Sequence, residues 1–64
     1  MRYRIKEERE AVGISQEELA RISGVSRTII SGLESGRIIT TTTETLQKVA
    51  AALNKRISDI FFED

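Results

Sequence analysis

The sequence predicts a single all-α domain spanning residues 1–64, and three observations carry that expectation. Proline is absent and glycine is limited to four residues. Apolar residues recur at intervals of three and four, the spacing of one helix face. Each helical segment also has a start or stop signal in its flanking residues. A chain this short buries only about 60% of the surface its unfolded form exposes, so nearly every apolar side chain is needed in the core.

Five helices follow in order. The first runs from about Arg2 to Val12 and stops at Gly13, with Ile5, Glu8, Arg9 and Val12 along its inward stripe. Ser15 with Glu18 reads as a capping box, each side chain satisfying the other's amide. It opens a second helix that reaches about Ser23, turns Leu19 and Ala20 inward and ends at Gly24. Ser26 caps a third helix over about Arg27 to Glu34, with Ile30, Leu33 and Glu34 on its inner side and Ser35-Gly36 as its stop. After a loop from Arg37, either Thr41 (boxed with Glu44) or Thr42 starts the fourth helix. There Leu46, Val49, Ala50 and Leu53 form the cleanest amphipathic stripe in the chain, and Asn54 is suited to terminate it. A short fifth helix presents Ile57, Ile60 and Phe61 to the core.

Composition removes whole classes of chemistry. With no cysteine or histidine there are no disulfides, no His/Cys metal cluster and no histidine-based nucleophile or general base. Neither a cofactor nor a small-molecule ligand is expected, because a chain of this length leaves no room for an enclosing pocket. The charged N-terminus and the lack of a long apolar run predict a cytoplasmic protein without a membrane span. The glutamate clusters at Glu7, Glu8, Glu10 and at Glu17, Glu18 read as solvated helix faces, so no enzyme is expected. Ten basic residues balance ten acidic ones. That sum argues against a bulk polyanion-binding tail, but it leaves room for a local basic face.

The informative stretch is QEELARISGVSRTIISGLES, Gln16 to Ser35. Ala20 is small enough for a second helix to cross closely, and Gly24 supplies the backbone that swings the chain through roughly 90–120°. Val25, Ile30 and Leu33 fill the gap between the helices. This spacing resembles the helix-turn-helix of phage repressor and Cro-type DNA-binding proteins. The likeness extends over nearly the whole chain, through ISQEELA, GVSR, LESG and ETLQKVAAALN. It implies a five-helix, lambda-repressor-like domain whose helices two and three form the motif.

The resemblance implies binding to double-stranded DNA with the third helix in the major groove. Thr28, Ser31, Gly32 and Ser35 then point away from the core, with Arg27 at the edge of the first turn and Ser26 at the cap. Arg27 suits bidentate readout of guanine, Thr28 a base edge or thymine methyl, and Ile29 either a methyl group or partial burial. Gln16 is placed to hold a phosphate at the start of helix two, and Arg37 to reach the backbone past helix three. Gly32 departs from the family, which usually carries a long polar side chain there.

An inward Arg9 needs a partner, and Glu34 is the acid whose periodicity suits. The family likewise pairs two such residues, so an Arg9–Glu34 salt bridge is expected. Glu8 is open: it lies at the domain edge, pairs with a base or weakens the packing. Ile38, Ile39, Ile57 and Phe62 form the expected dimer interface, since the family commonly dimerises through this loop and the last helix. The expected function is a homodimeric transcriptional regulator, a repressor on a pseudo-palindromic operator. The competing class is a protein-interaction module of antitoxin or adaptor type on the same fold.

Overall fold

Hydroxyl caps open three of the five helices in the computed structural model, which describes residues 2–38 and 40–62. The helices are α1 (Ile5–Ala11), α2 (Gln16–Ser23), α3 (Arg27–Ser35), α4 (Thr43–Ala52) and α5 (Ile57–Ile60). Ser15 Oγ accepts from the Glu18 amide at 3.0 Å, Ser26 Oγ from the Ile29 amide at 3.2 Å, and Thr42 Oγ1 from the Thr45 amide at 3.1 Å. Each bond satisfies an amide that a helix start leaves unpaired. Thr42 rather than Thr41 therefore opens the fourth helix. The Ser15 box closes on one side, because the Glu18 carboxylate binds Arg21, with the Arg21 Nε at 3.0 Å. Gly24 at φ 75° and Asn54 at φ 59° take the left-handed backbone that ends α2 and the α4 turn.

The first helix starts later than its local pattern predicts. Residues 2 and 3 form β1 (Arg2–Tyr3), antiparallel to β2 (Phe61–Phe62), with Tyr3 opposite Phe61. The Arg4 amide donates to the Ile60 carbonyl at 2.8 Å, and the Tyr3 and Phe61 rings lie 5.5 Å apart between centroids. Phe61 thus belongs to this two-stranded ladder rather than to the last helix. The end of α1 differs as well. The helix stops at Ala11, so Val12 falls beyond its last turn and is 53% exposed rather than inward. Ile14 packs on the core in its place.

The core lies where the four longer stripes converge. Ile5, Leu19, Val25, Ile30, Leu33, Val49, Ala50, Leu53 and Ile60 make one buried cluster, and Leu46 is buried at its margin. All four stripe positions of α4 are therefore inside. Glu8 finds a partner at the domain edge, where Lys55 Nζ lies 3.6 Å from its Oε1. This packing holds α2 against both α3 and α4 and leaves the outer side of α3 facing solvent.

Candidate functional site

α3 is locked from behind by a bidentate pair. Arg9 Nε donates to Glu34 Oε2 at 2.8 Å and Arg9 Nη2 to Glu34 Oε1 at 3.1 Å. A third Arg9 bond, Nη1 to the Ile14 carbonyl at 2.7 Å, ties the turn after α1 into the same joint. The Glu34 side chain is only 4% exposed. Burial pushes its carboxyl upward, but the hydrogen bonds from Arg9 and Gln16 and the positive charge of Arg9 and Lys6 outweigh it. The carboxyl is held below the ordinary value. Arg9 is raised above the usual arginine value, chiefly by its hydrogen bond to Glu34.

Gln16 joins this network, a contact that no local pattern predicts. Its Nε2 donates to Glu34 Oε1 at 3.0 Å, so the buried pair also orients the side chain at the start of α2. A shallow hollow opens beside it, lined by Gln16, Arg27, Thr28, Ser31 and Arg37. Five of the expected contact residues are thus brought together on one face. The lining of that hollow holds two arginines and no carboxylate. A second hollow shares Gln16 and Ser31 and adds Lys6, Arg9, Glu34 and Ser35. Lys6 extends the basic side of the surface. Its signal in the sequence was its position three residues before Arg9, on the same face of α1.

The remaining expected residues lie elsewhere. Ser26 is exposed, with its oxygen engaged as the α3 cap. Ile29 is half-buried against the core. Gly32 does not point away from the core: it is buried. A Cβ built there would fall 2.6 Å from Ile38 Cγ1 and closer still to its Cδ1. Ile38 also donates its amide to the Gly32 carbonyl at 3.0 Å. The glycine therefore admits Ile38 onto the helix backbone, which corrects the outward placement expected of Gly32: it offers no surface to a groove. Ile38, expected at a dimer interface, is half-buried and packs against the core. Ile57 is half-buried, at the edge of a hollow between α4 and α5 that also includes Gln47, Ala51 and Ser58. Ile39 lies outside the described residues, as does the side chain of Phe62.

The chemistry available on this face is hydrogen bonding and positive charge. Among the described residues no group of three or more Asp or Glu side chains is arranged to hold a metal ion. None of the described helices is long and apolar enough to cross a membrane.

Two short helices crossing at a glycine turn, the second with its outer side exposed and its inner side locked, define a helix-turn-helix domain. The helix-turn-helix family model matches residues 5–60, and the chain belongs to that family. Its relatives include two proteins of Archaeoglobus fulgidus, each 42% identical over 64 residues. The match covers this whole chain and 90% and 89% of theirs. Another, from Methanothermobacter thermautotrophicus, is 42% identical over 65 residues and covered to 93%. All three carry the name uncharacterized HTH-type transcriptional regulator.

Proposed function

We propose that this protein is a sequence-specific double-stranded DNA-binding transcriptional regulator that acts as a homodimeric repressor on a pseudo-palindromic operator. The observation that carries the reading is the hollow of Gln16, Arg27, Thr28, Ser31 and Arg37, whose lining holds two arginines and no carboxylate in a chain with no net charge. Opposed charges elsewhere in the fold neutralise one another in pairs: Arg9 with Glu34, Arg21 with Glu18, Lys55 with Glu8. Among the described residues, neither Arg27 nor Arg37 has a carboxylate partner. Such a residual field is what a phosphate backbone selects. The family match and the names of the relatives support the same reading.

In this account α3 enters the major groove and Arg27 reads a guanine through its paired donors. Thr28 and Ser31 meet neighbouring base edges, while Gln16, held by Glu34, and the Ser26 hydroxyl face phosphates. A single small module buries only about 600–1,000 Å² on DNA, so pairing two copies on one duplex face is the economical route to affinity. The hollow beside Ile57 is the surface proposed for that pairing. A domain that simply occupies its site acts by exclusion, which is repression.

Selection from a randomised duplex library tests the reading. The expected pool contains two inverted half-sites centred about one helical turn apart. Arg27→Ala should relax the preference at one position of each half-site by about 1–3 kcal/mol. A pool with no enriched sequence would favour the protein-interaction module instead. An unchanged preference in the Arg27→Ala chain would remove Arg27 from base readout.

A further inference from the structure

We propose that Arg37 is a second base-reading side chain, laid along the outer side of α3 by two serines and by the close approach of Ile38 to Gly32. This deepens the DNA-binding reading above and rests on it. The sequence alone placed Arg37 beyond the helix as a contact to the DNA backbone, and the geometry points elsewhere.

The route begins at Gly32. Because it lacks a Cβ, Ile38 packs directly on the helix, and its amide bonds the Gly32 carbonyl at 3.0 Å. The chain leaving α3 is thereby folded back along the helix it has just left. Arg37, one residue earlier, is carried to the exposed flank. There its Nε donates to Ser35 Oγ at 3.2 Å and its Nη2 to Ser31 Oγ at 3.3 Å. Ser31 lines the hollow with Arg27 and Thr28, so the guanidinium lies over the helix face proposed to enter the groove.

The two serine bonds occupy the Nε side of the guanidinium. The end formed by Nη1 and the outer hydrogen of Nη2 is left for another partner, and that pair of parallel donors matches guanine O6 and N7. Held against the helix at two points, the arginine also loses less freedom on binding than an untethered side chain. The small residues Ser31 and Ser35 leave the space that the arginine takes. A side chain from the loop thus does the work that a long residue within α3 would do.

Site selection with three chains decides the matter: the wild type, Arg37→Lys, and Ser35→Ala, which removes the serine that makes no proposed DNA contact of its own. Lysine keeps the charge but not the fork. If Arg37 reads a base, Arg37→Lys loses about tenfold of the preference for guanine at one position of each half-site. That position differs from the one Arg27→Ala relaxes. The serine variant keeps every charge and the salt dependence of binding, yet weakens the same preference. Circular dichroism verifies that all three chains are folded. An Arg37→Lys pool identical to the wild-type pool overturns the proposal and returns Arg37 to the phosphates. Full preference in the Ser35→Ala chain overturns the role given to Ser35. A wild-type chain that selects no sequence instead defeats the DNA-binding reading itself.

Discussion

Glu34 is the residue on which the most depends, because one carboxylate serves both the fold and the site. Arg9 holds it with two bonds, and it holds Gln16 with one. Removing either member of a mostly buried pair strands the other charge. Glu34→Ala should therefore cost about 3 kcal/mol, against a total of roughly 3–10 kcal/mol for a chain of this length. The pH dependence follows from the direction of its shift. The folded carboxyl lies below its ordinary value of 4.5, so its contribution is fully present above that pH and is lost as pH falls through the folded value. Thermal melts from pH 7 down to pH 3 should show the wild type losing stability below about pH 4.5 more steeply than Glu34→Gln. Equal acid slopes in the two chains would mean that Glu34 is not the carboxylate responsible. The pairing was legible because both residues sat on inward stripes where a charge is costly. The Gln16 bond was not, since a glutamine at a helix start has no periodicity to betray its direction.

At the scale of the elements, the decisive contact is between α3 and the loop that follows it. Gly32 carries a helix-propensity cost of about 1 kcal/mol relative to alanine, and it is repaid by the packing of Ile38. Gly32→Ala should be destabilising by about 1–2 kcal/mol, because forcing a methyl against Ile38 costs more than the propensity gain. In an Ile38→Ala background the clash is absent, and the same substitution should turn neutral or mildly stabilising. Chemical denaturation of the four chains of this cycle measures the reversal. Additive effects would show that Ile38 is not what excludes the methyl. The helices themselves could be read from the sequence, because Ser15, Ser26, Thr42, Gly24 and Asn54 act on their own neighbours and the α4 stripe repeats locally. Two features could not. The pairing of residues 2–3 with 61–62 joins the two ends of the chain, and the Gly32–Ile38 contact reaches across a turn. Helical periodicity therefore put Arg2 in a helix and Gly32 on the surface.

At the scale of the whole molecule, zero net charge is the sum of an uneven distribution. Three ion pairs consume part of the opposed charge, while Arg27 and Arg37 have no carboxylate partner among the described residues and share one hollow with Thr28, Ser31 and Gln16. A protein built this way has little long-range attraction for DNA and must rely on contacts made in register. Those contacts should come from this one face. Amide spectra of isotope-labelled protein, titrated with a duplex recovered by selection, locate them residue by residue. The shifted resonances should cluster at Gln16, Arg27, Thr28, Ser31 and Arg37, with α4 positions such as Leu46 and Lys48 left in place. Perturbations gathered on α4 and α5, with the outer side of α3 unmoved, would contradict that placement.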